Sequence, residues 1–215
     1  MRFRDRADAG RRLAEALRAR FEGSGALVVA LPPGGVPVAR ELARALGLPL
    51  DLLLVRKLGL PWQPEMGVGA VARGGHLVLN HELIRALEFD QQDLDRICHR
   101  ERMELARLEA LYRGARPFPS LEGRPILLVD DGLLTGCTVR AALQALAAGG
   151  AGRVTVAIPV APPDVLGSLA PVADLCCLES PWLFLTLASF YQDFSPVSEE
   201  EVVALLADAE LPTGS

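Results

Sequence analysis

Two adjacent carboxylates stand at the end of an apolar run in the middle of the chain. The run Ile126 to Val129 has four consecutive apolar residues, which predict a strand buried on both faces. Asp130 and Asp131 follow at its carboxyl end, where open α/β sheets bind their ligands. Carboxylates in this place can accept hydrogen bonds from the hydroxyls of a sugar, each worth roughly 1.5–3 kcal/mol.

The segment after the two acids has the composition of a phosphate-binding loop. It leads into a predicted helix over 139–146, and its candidate phosphate-binding residues are Gly132, Thr135, Gly136, Cys137 and Thr138. Backbone N–H groups, hydroxyls and the positive end of the helix dipole can together surround a phosphate. Residues 126–138 therefore predict a sugar-phosphate site, with the phosphate in the loop and the ring hydroxyls on the carboxylates.

Three other classes of site fit this segment less well. A Walker A loop requires a Lys that is absent here. A dehalogenase-type site requires carboxylates two positions apart, whereas Asp130 and Asp131 are adjacent. A receiver domain requires a later Lys, and none occurs in the 77 residues after Thr138. The simplest alternative is an acidic loop that follows a core strand and has no ligand.

Residues 126–138 resemble the PRPP signature of the type I phosphoribosyltransferases, with four hydrophobic residues, two acids and a Thr-Gly-x-Thr loop. PRPP is 5-phosphoribosyl-1-pyrophosphate. The resemblance implies that Asp130 and Asp131 are the catalytic pair, which holds the ribose hydroxyls and binds Mg²⁺ directly or through water. It also implies that the loop holds the 5′-phosphate, with PRPP and a small-molecule acceptor as the partners.

Two further stretches match places where that family binds pyrophosphate. The loop with Pro33, Gly34 and Gly35 follows a predicted strand, and its glycines let backbone N–H groups approach an anion and permit unusual φ/ψ angles. In the family the matching loop often carries a cis peptide. Arg56 and Lys57 begin an Arg-Lys-x-Gly-x-Pro run that resembles adenine and related phosphoribosyltransferases. An ordinary βα turn and a solvated strand end are the alternatives.

The order of elements predicts an α/β fold, and the resemblance implies a phosphoribosyltransferase-like core. This core is a central, mostly parallel sheet flanked by helices, with a small hood or flap region. We expect a single domain over 1–215, with the hood at roughly 179–215. The predicted helices cover 5–22, 36–46, 81–112, 139–146, 164–169 and a terminal segment after Ser198; the predicted strands cover 26–31, 50–55, 126–129, 154–160 and 173–178, with a β-hairpin over 71–80.

Two loops are candidates for covering the ligands. The stretch 58–68, with two prolines and a tryptophan, is predicted to be a long loop where family members carry a mobile flap, although the flap can also lie further on. The aromatic-rich stretch 179–196 contains residues 182–194, which are either a hood that grips the acceptor or a hydrophobic latch under the terminal helix. The long charged helix over 81–112 packs on the sheet or in a dimer contact, so a homodimer is an open expectation.

Composition excludes several classes of function. Half of the 215 residues are apolar, and the net charge of −5 argues against a nucleic-acid partner. Four cysteines without metal-ligand spacing predict reduced thiols, and the absence of a signal peptide or an 18-residue apolar run predicts a cytoplasmic protein without a membrane partner. The basic start is predicted to be a solvated helix face; its residues are Arg2, Arg4, Arg6, Arg11 and Arg12.

The functional hypothesis is a Mg²⁺-dependent phosphoribosyltransferase of nucleotide metabolism. It would transfer the phosphoribosyl group of PRPP to a nitrogenous base or similar acceptor and release pyrophosphate. Enzymes of the family that act on 6-oxopurines carry a carboxylate four positions after the first acid, whereas this chain has Leu134. The sequence therefore does not identify the acceptor. The alternative is a non-catalytic or regulatory protein that senses PRPP or a nucleotide on the same fold.

Overall fold

The computed structural model describes residues 2–60 and 63–209, so Pro61 and Trp62 of the predicted loop lie outside the described residues. The strands are β1 Leu27–Ala30, β2 Leu50–Leu52, β3 Val55–Leu60, β4 Gln63–Ala72, β5 Leu77–Leu79, β6 Ile126–Val129, β7 Val154–Val160 and β8 Asp174–Glu179. The helices are α1 Arg6–Phe21, α2 Gly35–Leu46, α3 His81–Ala86, α4 Gln91–Arg113, α5 Cys137–Ala148, α6 Pro163–Leu169 and α7 Glu199–Ala209.

The chain forms two compact units, and both are discontinuous in sequence. The first unit comprises Met1–Leu53, Ser120–Thr135 and Gly149–Ser215, and the second comprises Leu54–Pro119 and Gly136–Ala148. Because their segments alternate along the chain, this division does not decide whether residues 1–215 behave as one domain. That expectation stays a prediction.

The first unit is built on a five-stranded parallel sheet in the order β2-β1-β6-β7-β8. Every residue of β1 and β6 is buried, as expected for central strands that are covered on both faces. Helices α1 and α2 pack on each other and on this sheet. The predicted central parallel sheet flanked by helices is confirmed.

The connections of this sheet create a switch point between β1 and β6. From β1 the chain passes through α2 to β2 on one side, whereas from β6 it continues to β7 and β8 on the other side. Ligands of open α/β sheets bind outside the carboxyl ends of the strands at such a point. The loops that follow β1 and β6 are therefore the two that the fold places at the expected ligand crevice.

The second unit contains an antiparallel sheet in the order β3-β4-β5, against which α3, α4 and α5 pack. Two predictions fail here. The strand expected over 50–55 ends at Leu52, and the long loop expected over 58–68 is largely occupied by β3 and β4. Leu58 and Leu60 are buried at alternating positions, which is the strand pattern that the neighbouring glycines and prolines obscured. The predicted 71–80 hairpin is present, with Arg73–Gly75 at its turn.

The long charged segment over 81–112 is helical, as predicted, but it forms two helices. Helix α3 ends at Ala86, and α4 begins after Asp90, whose carboxylate accepts a hydrogen bond from the Gln92 N–H. Asp90 is therefore the N-cap of α4. At the other end of the chain, Ser198 Oγ accepts from the Glu201 N–H at the start of α7, as a capping box requires. None of the helices described is long and apolar enough to cross a membrane.

The aromatic-rich stretch 179–196 divides into an exposed part and a buried part. Trp182 is 92% exposed, whereas Tyr191 is buried against Phe3, with Phe190 and Phe194 packed on the same cluster. Three backbone hydrogen bonds of 2.8 Å join residues 3 and 4 to residues 190, 192 and 193. A latch therefore exists, but its partner is the start of α1 and the residues before it, whereas the prediction placed it under the terminal helix. We call residues 190–195 the latch segment.

The packing of α1 on α2 depends on Gly10. A Cβ atom at Gly10 would lie 2.3 Å from the Val38 carbonyl oxygen of α2, whereas a Cβ atom at Gly167 in α6 would meet nothing within 4 Å. We expect Gly10→Ala to lower the free energy of unfolding by roughly 1–3 kcal/mol through overpacking. The matched control Gly167→Ala should raise it by roughly 0.5–1 kcal/mol, because alanine favours a helix over glycine.

Urea denaturation of the two variants and the wild type would measure both changes. Equal stability of the two alanine variants would contradict the close contact between α1 and α2.

Candidate active site

The two loops at the switch point are neighbours. Ala30 at the end of β1 pairs with Val129 at the end of β6, and the Leu31 N–H donates to the Val129 carbonyl oxygen over 2.9 Å. The pyrophosphate-loop candidates after β1 and the acid pair after β6 therefore start from the same edge of the sheet. The structure brings together these two predicted groups of the first unit.

Gly34 and Gly35 pack directly on the acid pair. A Cβ atom at Gly34 would lie 2.1 Å from Asp131 Oδ2, and one at Gly35 would lie 2.7 Å from the Val129 carbonyl oxygen and 3.0 Å from Asp130 Cα. Gly34 has a φ of −63°, and neither glycine is among those with positive φ. These positions therefore require glycine for space, not for an unusual backbone conformation as the sequence suggested. The peptide between Pro32 and Pro33 is cis.

Asp131 is buried and held from two directions. Its carboxylate accepts a hydrogen bond from Arg6 Nε over 2.8 Å, and both side chains are 11% exposed. The Tyr191 hydroxyl donates to the Asp131 backbone carbonyl oxygen over 2.6 Å. Burial raises the pKa of Asp131, and the Arg6 guanidinium opposes that rise. The second acid of the pair is therefore a fixed, ion-paired group.

Asp130 has a different environment from its neighbour. Its carboxylate Oδ1 accepts a hydrogen bond from the Asp131 N–H over 2.8 Å. Burial and then the negative charge of Asp131 raise the pKa of Asp130 well above the usual range of an aspartate. The protonation of Asp130 is therefore coupled to the ionisation of Asp131, which Arg6 favours.

The loop after the acids is anchored to the end of β7. The Leu133 N–H donates to the Val160 carbonyl oxygen over 2.9 Å, and Gly132 has a φ of +151°, where a side chain is strained. A Cβ atom at Gly132 would also lie 2.3 Å from Leu187 Cδ2. Leu134 and Thr135 follow and are exposed. The loop thus leaves the acid pair on a constrained path and presents its tip to solvent.

The remaining phosphate-loop candidates belong to the second unit. Helix α5 begins at Cys137, two residues earlier than predicted, and the Gly136 carbonyl oxygen accepts from the Arg140 N–H over 2.9 Å. Cys137 and Thr138 are partly exposed in the first turn, whose N–H groups have no acceptor within the helix. This first turn has the donors that a phosphate site requires.

Arg56 and Lys57 do not follow the end of a parallel strand, as the sequence suggested. Both lie inside β3 of the antiparallel sheet, and neighbouring strand residues direct their side chains to opposite faces. Arg56 Nε donates to Glu101 Oε2 over 2.9 Å, and Glu101 is 5% exposed. Glu101 interrupts the apolar stripe of α4 because it is the buried partner of Arg56.

Sequence reasoning missed two residues that contact Asp131. Arg6 was expected on a solvated helix face, and that expectation is wrong because its side chain is 11% exposed. A signal existed: Arg6 precedes Leu13 by seven positions and Leu17 by eleven, so it lies on the apolar face of α1. No comparable local pattern marked Tyr191.

The acid pair suits one particular mode of metal binding. Within residues 2–60 and 63–209, no group of three or more His, Cys, Asp or Glu side chains is arranged to hold a metal ion. Mg²⁺, however, is commonly bound by one or two carboxylates together with substrate phosphates and water. Asp130 and Asp131 fit that donor set, which a phosphate-bearing substrate would complete.

Comparisons with known proteins agree with this geometry. Residues 3–168 match the family model described as "Phosphoribosyl transferase domain". The Mycobacterium tuberculosis H37Rv protein named "Putative phosphoribosyl transferase Rv0571c" is 43% identical over 205 residues, which are 95% of this chain and 46% of the relative. The chain therefore spans about half the length of this curated relative.

Solved structures show the same fold. The crystal structure of TT1426 from Thermus thermophilus is 44% identical, with a TM-score of 0.81 over 97% of this chain and 99% of that chain. The purine phosphoribosyltransferase of Pyrococcus horikoshii Ot3 is 16% identical, with a TM-score of 0.51 over 90% of this chain and 92% of that chain, and shares the fold. With the match over residues 3–168, this chain belongs to the phosphoribosyl transferase domain family and has its type I fold.

Proposed function

We propose that this chain transfers the 5-phosphoribosyl group of PRPP to a nitrogenous base or a similar small acceptor and releases pyrophosphate. The observation that carries the proposal is the direct packing of Gly34 and Gly35 on Asp130 and Asp131 at the switch point of the sheet. A ligand with a ribose ring and a neighbouring diphosphate matches these two groups: carboxylates for the hydroxyls, and a loop free of Cβ atoms for the diphosphate.

The acid pair would hold ribose with a division of roles. Asp130 and Asp131 accept hydrogen bonds from the 2′ and 3′ hydroxyls, with Asp131 fixed by Arg6 and Asp130 responding to pH. The residues assigned to the 5′-phosphate are Gly132, Thr135, Gly136, Cys137 and Thr138. Those assigned to pyrophosphate are Pro33, Gly34, Gly35, Arg56 and Lys57.

The reaction is a displacement at C1 of the ribose. The acceptor nitrogen forms a bond to C1, the bond from C1 to the pyrophosphate oxygen breaks, and pyrophosphate leaves with the electron pair. The residues bind, orient and exclude water, so they lower the barrier mainly by positioning. When bound to Asp130, Asp131 and the substrate phosphates, Mg²⁺ supplies positive charge against the leaving group.

The environment of Leu134 limits the choice of acceptor. Leu134 is 52% exposed at the tip of the loop, where the 6-oxopurine enzymes of the family carry a carboxylate. An acceptor of this chain must therefore be nucleophilic without a carboxylate base at that position. We place the reaction in the cytoplasm, in keeping with four free thiols among the described residues.

One observation favours a sensor of PRPP or a nucleotide as a second candidate. The Arg56 guanidinium already contacts the buried Glu101 carboxylate, so one of the two cations assigned to pyrophosphate is engaged by the protein itself. A sensor requires ligand binding but no neutralisation of a departing pyrophosphate. Turnover separates the two candidates.

Pyrophosphate release from PRPP and Mg²⁺ is the direct test of the proposed reaction. We expect release that depends on one of three acceptor pools, namely purines, pyrimidines or simple amines, and subdivision of that pool then identifies the acceptor. Binding of PRPP by calorimetry without release from any pool would favour the sensor. The absence of both binding and release would overturn the proposal.

Asparagine at the two acids should separate their roles in binding and stability. Both Asp130→Asn and Asp131→Asn should weaken PRPP binding by about 1–3 kcal/mol, since each loses a charged acceptor. Asp130→Asn should raise the free energy of unfolding by on the order of 1 kcal/mol, because burial disfavours the charge it removes. Asp131→Asn should lower it by about 1–3 kcal/mol, because buried Arg6 loses its carboxylate.

The pH dependence supplies the control for the stability effect. The raised pKa of Asp130 means that the penalty for its charge is full above the folded-state pKa and absent only well below pH 4, where the carboxyl is protonated in both states. The stability gain of Asp130→Asn should therefore shrink as the pH falls towards 4. A gain that is constant from pH 4 to 8 in chemical denaturation would contradict a destabilising charge on Asp130.

A further inference from the structure

The side chain that binds the Asp131 carboxylate comes from the first turn of the first helix. Arg6 occupies the first position of α1, and its Nε lies 2.8 Å from Asp131 Oδ2. The ion pair is partly shielded from solvent, since both side chains are 11% exposed. Interactions between such charges are screened less by salt and water than those at the surface.

Arg6 is itself fixed by the latch segment. Its Nη1 donates to the Ser195 carbonyl oxygen over 2.7 Å, and its guanidinium carbon lies 3.9 Å from the centre of the Phe194 ring. Phe194 in turn packs on Tyr191, with their ring centres 4.9 Å apart. The guanidinium therefore contacts the Ser195 carbonyl oxygen, the Phe194 ring and the Asp131 carboxylate at once, and these three contacts fix its orientation.

The latch segment also contacts the backbone of the acid pair. Tyr191 donates its hydroxyl to the Asp131 carbonyl oxygen while Arg6 binds the Asp131 carboxylate. Arg6 thus holds the side chain of Asp131, and Tyr191 holds its main chain. The latch segment contains Tyr191 and contacts Arg6. A surface ion pair at the start of a helix would lack these additional hydrogen bonds and the ring contact.

We propose that Arg6 is a positioning residue that fixes the direction of the Asp131 carboxylate for ribose binding, with the latch segment as its support. The inference rests on the proposed function, because it assigns the consequence of the ion pair to PRPP binding. Arg6 does not touch the reacting atoms in this role; it acts through Asp131.

The test compares the affinities for PRPP and for pyrophosphate alone at one pH in Arg6→Gln, with Arg12→Gln as the matched control. Arg12 lies on the same helix, pairs with Asp8 and stacks on Phe3 of the buried cluster, but its side chain is not the one bound to Asp131. We expect Arg6→Gln to bind PRPP about tenfold more weakly and to keep the wild-type affinity for pyrophosphate, which has no ribose. Arg12→Gln should keep both wild-type affinities.

Two further variants separate positioning from folding. Arg6→Lys restores the charge and should recover part of the PRPP affinity, although lysine cannot reproduce the planar contacts of arginine. In thermal unfolding, the melting temperature lost by Arg6→Gln with Asp131→Asn should be smaller than the sum of the two single losses. If Arg6→Gln does not fold, Arg6→Lys against Arg12→Lys makes the same comparison, with a smaller loss of PRPP affinity expected.

Each outcome has a distinct meaning. A wild-type protein that binds no PRPP overturns the proposed function and this inference with it. Wild-type binding of PRPP with the same PRPP affinity in Arg6→Gln and Arg12→Gln, or an equal loss of PRPP and pyrophosphate affinity in Arg6→Gln, overturns the inference and leaves the proposed function standing. Additive losses of melting temperature in the double variant would show that the ion pair is not coupled, and would also overturn the inference.

Discussion

The buried contact between the Arg6 guanidinium and the Asp131 carboxylate is the interaction on which this end of the sheet depends. An isolated carboxylate in such surroundings would bear a large desolvation penalty, so it requires a cation or a proton. The cation comes from α1, which must therefore dock on the sheet before the acid can remain charged. Docking of α1 in turn requires Gly10 against α2 and Phe3 against Tyr191. A local electrostatic requirement thus determines how several distant segments pack.

At the same site, a group proposed to bind the ligand lowers the stability of the fold. Asp130 is partly buried beside a second negative charge, an arrangement that favours its neutral form and disfavours the fold when it is ionised. Evolution tolerates such groups where a ligand later supplies hydrogen-bond donors or a metal ion. For the neighbouring Asp131, a protein cation offsets part of this conflict. The two neighbouring aspartates therefore make different contributions to the stability of the fold.

Local patterns were sufficient to predict most of the sheet and the acid pair. Strands β1 and β6 are unbroken apolar runs, and Asp130 and Asp131 follow one of them directly, so short windows of sequence contain the information. The contacts of Arg6 and Arg56 were not predictable in this way, because their carboxylate partners lie 125 and 45 residues away along the chain. Strands β3 and β4 were missed because glycine and proline in their neighbourhood outweighed a short alternation of buried leucines.

The interleaved order of the two units affects how the chain can fold during synthesis. Strand β1 has β2 on one side, but its other neighbour is β6, which emerges only after the whole segment from α2 to α4. Until then, one edge of an entirely apolar strand has no partner, and such edges associate readily with other chains. The second unit can complete its antiparallel hairpins from nearby residues, whereas the parallel sheet must wait for a distant strand. We expect the nascent chain to be most prone to association in that interval.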